Sequence, residues 1–503
     1  MAQLWPPMQA LALHQCLTPE VVHCIVSFTS SSKTFFDFLV ALRRDLACLL
    51  DLCMLPNPLK PSSVRERQEL HWTDLTLAWL DAEAAVLVAR VANLLVAHLT
   101  HPVAIEVDEC PIYSSEGYAF NVDAWFAHLM QLHVTGIRLI HCLAWLRQTP
   151  ADGANFIRTL PQLSALRWLD VHGPIDPDQC EDASVDPGQW DRVFEFIETS
   201  HLTRLSWAAG DTWYIKNCCY INQTQARMLA HWLTCEPSIK CLHLEKCAFI
   251  DDAASEIVTP ALFTASSLHR LELSTMILPR PWTTYVESHP IQIAEFDFVN
   301  VFGTPANAPF LRGLAYSKTL SVAIKSVCTP PQLFDTLCPV LPLATHLVHM
   351  SIDSISLGDV LMTTLAPAIA SMPTLTRLQL ATVAIADTSA ILLAEVFATS
   401  TSRLKELDVS DNFIGLQGAC ALIDCFGRRS LTRLTLHGLL VGLDDIPLVQ
   451  ETGASCHPEL TIVASSAAMV LPCLRNRLFN AEKYIPATVV DTTRAWIDAK
   501  STS

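Results

Sequence analysis

Residues 218–247 gather five cysteines (Cys218, Cys219, Cys235, Cys241 and Cys247) and two histidines (His231 and His243), donor types that hold zinc when four of them converge. The paired CxxC spacing of a zinc site is missing, and a small apolar thiol equally suits a tight core. Glu272 and Asp297 are residue types for paired acid and base work, but both occupy strand positions whose alternation turns them to water. No GxxxxGK[ST] phosphate loop, GxSxG elbow or HExxH pair occurs. The expectation is a chain that is not an enzyme, with no catalytic residue, no metal and no cofactor. Its chemistry is then recognition, and the elements that position the recognising residues become the question.

Fifty Asp and Glu against 33 Lys and Arg leave a formal charge of -17 over 503 residues, the wrong field for a nucleic-acid partner. With 51% hydrophobic and 17% charged residues, the chain can bury a large core. Its most apolar stretch, residues 82–99, carries Glu83, Arg90, Asn93 and His98, so it reads as a buried helix and no membrane segment is expected. Eighteen scattered cysteines and an N-terminus without a basic n-region predict a reduced, intracellular chain, cytoplasmic or nuclear.

A pattern of aliphatic-x-x-aliphatic-x-aliphatic recurs along most of the chain, clearest from Leu268, Leu375, Leu404 and Leu431. Its second aliphatic falls at Ile105, Ile137, Leu169, Leu205, Leu242, Leu271, Phe296, Val322, Met350, Leu378, Leu407, Leu434 and Leu460. After Leu242 every interval lies between 25 and 29 residues. Alternation within each copy makes a strand with one buried face, and Leu271, Leu273, Leu378, Leu380, Leu407, Val409, Leu434 and Leu436 are expected inside. A helix follows each strand. In residues 387–400 Asp387 can cap it, while Ile391, Leu392, Glu395 and Val396 set its spacing. One such unit cannot bury its own apolar face, so units must stack into a parallel sheet with helices outside.

The run Leu404, Leu407, Val409, Asn412 and Ile414 matches LxxLxLxxN/CxL, and Cys110, Cys142 and Cys247 occupy the slot of Asn412 in their own copies. Residues 101–465 thus resemble the ribonuclease-inhibitor-like class of leucine-rich repeats. The resemblance implies an α/β solenoid of about 13 repeats, a horseshoe with one parallel strand and one helix per repeat. Elsewhere the slot holds Met276, Val301, Ile355, Val383 and Leu439, so the usual side-chain ladder is mostly missing.

Residues 1–55 do not follow the repeat. Leu17, Pro19, Glu20, Val21, Val22, Ile25 and Phe28, followed by Phe35, Phe36, Leu39 and Leu42, resemble the opening of an F-box, with Thr18 where that motif has proline. The resemblance implies a small all-helical domain that contacts the adaptor protein of an SCF-type ubiquitin ligase through Leu17, Pro19, Val21, Val22, Ile25, Phe28 and Phe36, and delivers a substrate protein held by the repeats. The other reading makes these helices only a solenoid cap, leaving a plain interaction scaffold. Residues 56–100 read as linker and capping helix, and 466–503 as C-terminal cap and tail.

Residues flanking the buried aliphatics point out of the sheet, and opposite charges mix there, which suits a protein partner. The two longest intervals of the array, Leu169 to Leu205 and Leu205 to Leu242, add an acidic insert and an aromatic one. Partner binding is therefore expected at Trp168, Asp170, Arg204, Trp213, Tyr214, Tyr220 and His243, aromatic anchors beside a charged face.

Overall fold

The structure is a computed structural model. It describes residues 103–107, 134–139, 157–172, 187–208, 493–495 and, apart from short breaks, 219–466. The F-box-like segment with Leu17, Pro19, Val21, Val22, Ile25, Phe28 and Phe36 lies outside the described residues. The chain divides into two compact units, Met1–Cys219 and Tyr220–Ser503. The division falls within the repeats, in the interval from Leu205 to Leu242, which holds an additional strand.

In the first unit β1 (Val103–Val107), β2 (Val134–Leu139), β3 (Trp168–His172) and β4 (Arg204–Ala208) pair in order, all parallel. Between β3 and β4 runs α1 (Pro187–Thr199), whose Phe194 packs on Trp207 of β4 with ring centroids 4.9 Å apart. The register Ile105, Ile137, Leu169, Leu205 is the one expected from the repeat.

The second unit opens with β5 (Cys219–Ile221), which forms a separate two-stranded sheet with β7 (Cys247–Phe249). Its main sheet has nine parallel strands: β6 (Cys241–Glu245), β8 (Arg270–Ser274), β9 (Glu295–Val299), β10 (Ser321–Lys325), β11 (His349–Asp353), β12 (Arg377–Ala381), β13 (Glu406–Asp408), β14 (Arg433–Leu439) and β15 (Thr461–Ser466). The helices are α2 (Gln223–Cys235), α3 (Asp252–Thr264), α4 (Arg280–Ser288), α5 (Ala308–Gly313), α6 (Gln332–Val340), α7 (Gly358–Ala370), α8 (Asp387–Thr399) and α9 (Leu416–Gly427). This α/β solenoid, one parallel strand and one helix per repeat, fits a leucine-rich-repeat fold. All eight aliphatics expected inside, from Leu271 to Leu436, are buried. Val322, in the poorest copy, pairs with Phe296 and Met350 as the period requires. The final copy is corrected: Leu434 pairs with Ile462, not Leu460. Among the described residues no helix is long and apolar enough to cross a membrane.

Five strands, β6, β8, β9, β12 and β13, are followed by a left-handed residue four positions after the second aliphatic: Lys246, Thr275, Asn300, Thr382 and Asp411, with φ of 49°, 49°, 53°, 56° and 59°. The turn lets each of their N–H groups donate to a carbonyl of the next repeat, for example Thr275 to Val299 at 2.6 Å and Asp411 to His437 at 2.7 Å. A backbone ladder therefore runs through the repeats whatever fills the following slot. Where that slot is Asn412, its Nδ2 donates to the carbonyls of Leu380, Val409 and Ser410, and its Oδ1 accepts from Val383 and Ile385. Cys247 does part of this work, its thiol donating to the Glu245 carbonyl at 3.3 Å.

Two helix starts are tied across repeats. Asp387 does not cap its own helix: α8 begins after Ala386, and the Asp387 carboxylate accepts from Gly415 at 2.7 Å and Gly418 at 2.9 Å, capping α9. Asp359 in α7 likewise accepts from Ser389 Oγ and from the Ala386 N–H at 3.4 Å. Gly418 has to be glycine, because a Cβ there would lie 2.5 Å from Asp387 Oδ1. The helical spacing is as expected, and the buried side of α8 is Ala390, Leu393, Ala394 and Phe397, with Ile391, Leu392 and Val396 half-buried and Glu395 exposed. Small residues inside let adjacent helices approach closely.

Candidate protein-recognition surface

Alternation puts the aliphatics under the helices and leaves columns of other side chains on the opposite strand face. Neighbours in a column are one strand spacing apart, roughly 4.8 Å, so their charges interact directly. In the second unit one column runs Arg270, Glu295, Ser321, His349, Arg377, Glu406, Arg433, and the next runs Glu272, Asp297, Ala323, Ser351, Gln379, Asp408. These residues are half-buried or exposed.

Two charged banks stand on this face. On β8 and β9, Arg270 Nε lies 2.8 Å from both Glu272 Oε1 and Asp297 Oδ2, while Glu295 meets His269 at 3.3 Å. Two carboxylates share one guanidinium there. Burial pushes the Asp297 carboxyl up; Arg270 opposes this, and the Glu272 and Glu295 charges add to the rise, leaving it above its ordinary value. On β12 to β14, Arg377 holds Glu406 with two hydrogen bonds, Nε to Oε2 at 2.8 Å and Nη2 to Oε1 at 3.0 Å. That bond holds the Glu406 carboxyl below its usual range; burial opposes it, and the charges of Arg377, Arg433 and His349 add to the lowering. Exposed ion pairs contribute little to folding, so the main consequence of these banks is the field they present.

Between the banks the face carries mainly small side chains around His349. Ser321, Ala323 and Ser351 on β10 and β11 are half-buried and small, with Lys325 and Asp353 paired at 3.4 Å where the strands end. A partner's side chain can reach close to the sheet there, flanked by an acid-rich bank and a mixed one.

The residues singled out from the sequence are distributed differently. Trp168 and Arg204 are register partners on β3 and β4, Trp168 half-buried and Arg204 exposed. The indole lies over Gly136 of β2, where a Cβ would come within 1.7 Å of the ring, so the sheet itself holds Trp168 down. Asp170 is buried at 4% exposure rather than open to solvent. Tyr220 and His243 belong to the second unit, Tyr220 63% exposed on β5 and His243 half-buried, 4.0 Å from Glu245. Trp213 and Tyr214 lie outside the described residues. Of the cysteines weighed for metal, Cys235 is exposed, Cys241 faces Glu272 at 3.9 Å and Cys247 is buried. The banks on β8–β9 and β12–β14 were not singled out from sequence, although Arg and Glu alternating at one repeat position was the signal for them.

No protein-family model and no curated protein matches the chain. Among solved structures it is similar to an internalin from Listeria monocytogenes, with a TM-score of 0.31 and 11% identity, over 78% of this chain and 86% of that one.

Proposed function

We propose that the chain is a non-enzymatic recognition protein that holds a protein partner on the helix-free face of its second unit. The observation that carries this reading is the continuous register from β6 to β15, which aligns two charged banks around a strip of small residues. A rigid parallel sheet presents such columns at fixed spacing, which favours specificity through charge complementarity. Trp168 and Arg204 on the first unit, with Trp213, Tyr214 and Tyr220 of the aromatic insert, are separate candidate contacts.

The finer reading joins this scaffold to a ubiquitin ligase. It rests on the F-box-like order of Leu17, Pro19, Val21, Val22, Ile25, Phe28 and Phe36, residue types that an adaptor-facing helical surface requires. Affinity purification of the full chain, of Val22→Asp and of a chain without residues 1–55 tests it. Recovery of a ligase adaptor with the full chain alone supports the receptor reading. Equal recovery of the same partners by all three makes the protein a plain scaffold.

A further inference from the structure

Two positions separate the first and second aliphatics of each repeat, and across β12 to β14 they hold Thr376 and Arg377, Lys405 and Glu406, and Thr432 and Arg433. All six are exposed or half-buried. Backbone pairing brings them together. The N–H groups of Lys405 and Glu406 donate to the Thr376 carbonyl at 2.8 and 3.0 Å, and those of Thr432 and Arg433 donate to the Lys405 carbonyl at 2.8 and 3.1 Å. Arg377, Glu406 and Arg433 are register partners in turn, and the exposed Arg403 stands two residues before Lys405.

The charges at this edge do not balance. Arg377, Arg403, Lys405 and Arg433 stand against Glu406 and Asp408, in a chain whose formal charge is -17. Glu406 is taken up by the Arg377 fork, and Asp408 Oδ1 accepts from the Ser410 N–H and hydroxyl. Arg403, Lys405 and Arg433 make no ion pair with any described residue. The lowered Glu406 carboxyl agrees with a positive local field: after the Arg377 hydrogen bond, the charges of Arg377, Arg433 and His349 all act in that direction.

The form of anion follows from the donors that remain. The strand N–H groups are spent within the sheet, so no nest or helix end cradles the oxygens of a phosphate, and Glu406 in the centre repels a dianion. A carboxylate needs only two parallel donors from one guanidinium, the geometry that Arg377 already shows with Glu406. A long polyanion would meet the acid-rich bank on the same face.

We infer that the strand-entry edge of β12 to β14 docks an acidic segment of a partner protein, one carboxylate on the Arg433 guanidinium and a second on the Lys405 ammonium. This rests on the sheet-face reading and adds to it the charge of the partner segment and the strands that hold it.

The test measures fluorescence anisotropy of a labelled Gly-Ser-Glu-Asp-Glu-Ser-Gly amide against the full chain at low salt. Its counterparts carry Gln-Asn-Gln or a single phosphoserine in place of Glu-Asp-Glu. The acidic peptide should bind saturably and weaken as salt is raised, the neutral one should show no saturable binding, and the phosphoserine one should bind at least about 3-fold more weakly. Lys405→Gln with Arg433→Gln should weaken the acidic peptide at least about 10-fold. Lys240→Gln with Lys318→Gln, which removes two exposed charges ahead of β6 and β10, should leave it unchanged. If the first double variant melts early, Arg433→Gln alone is held to a loss of at least about 3-fold. Absence of binding to the unsubstituted chain, tighter binding of the phosphoserine peptide, or an equal loss in the Lys240 and Lys318 variant would overturn the assignment. If the acidic peptide fails while an arginine at position 351 still displaces the partners of the chain, this inference falls and the sheet-face reading stands.

Discussion

The repeats around β8 to β10 and those around β12 to β14 have the same backbone and are held by different chemistry. In the first region Phe296, Phe298 and Phe310 meet edge-on and stacked at 5.5 to 5.9 Å, with Phe263 and Trp282 beside them, and the slot after the left-handed turn holds Met276 or Val301. In the second region Asn412 makes five hydrogen bonds, and Asp359 and Asp387 tie successive helices together. The comparison teaches that the repeat is specified by its strand register and backbone turn, and that either an aromatic core or a polar clamp can supply the cohesion between units.

Replacing the keystone of each region should hurt by a different mechanism. Phe310→Ala leaves a cavity among the rings of Phe263, Phe296 and Phe298 and should cost about 3 to 5 kcal/mol in chemical denaturation. Asn412→Ala strips partners from buried groups, Val383 and Ile385 N–H among them, and should cost about 2 to 4 kcal/mol, against about 1 for Cys247→Ala, whose thiol is a weak donor. A cost for Cys247→Ala as large as for Asn412→Ala would erase the distinction between slots.

The shared turn gives a change of opposite sign. Thr275 and Thr382 are β-branched residues held at φ of 49° and 56°, which favours glycine. Thr275→Gly should therefore raise stability by up to about 1 kcal/mol, read as a higher melting temperature. A drop would mean that its side chain contributes more than its backbone costs.

The smallest effects separate the two charged banks. Glu406 has a lowered folded pKa, so its contribution is present above the ordinary carboxylate value and is lost as pH falls through the folded one. Asp297 has a raised folded pKa, so ionisation opposes folding above that value and the opposition is relieved as pH falls below the ordinary one. At pH 7 Asp297→Asn should raise the melting temperature slightly and Glu406→Gln lower it slightly, both differences shrinking as pH falls below the ordinary carboxylate range. The same sign for both would contradict the account of the banks.

The strand register was legible because the aliphatic pair recurs at every repeat, and even the weak Val322 copy is framed by Phe296 and Met350. It failed at Leu460 for a physical reason: Leu460 and Ile462 are two residues apart, so both satisfy a period-two pattern. The buried side of α8 was ambiguous because Ile391, Leu392, Leu393 and Val396 surround the helix with apolar residues. The role of Asp387 was hidden because its partners are 28 and 31 residues away, whereas capping patterns are local. Alternation assigned Asp170 to the correct face but could not reveal its burial. For recognition, the sequence supplied the columns, and only their pairing in space distinguishes charged banks from the small-residue strip between them.

The central claim, that the helix-free face of the second unit is the recognition surface, is tested most directly by blocking its small-residue strip. Ser351→Arg fills the space between the banks on β11, while Asp424→Arg places the same side chain on the exposed side of α9. Partners captured by the full chain in proximity labelling are compared across the two variants, both checked for an unchanged melting temperature. The account predicts that Ser351→Arg loses those partners and Asp424→Arg retains them. Retention of the full partner set by Ser351→Arg would contradict it.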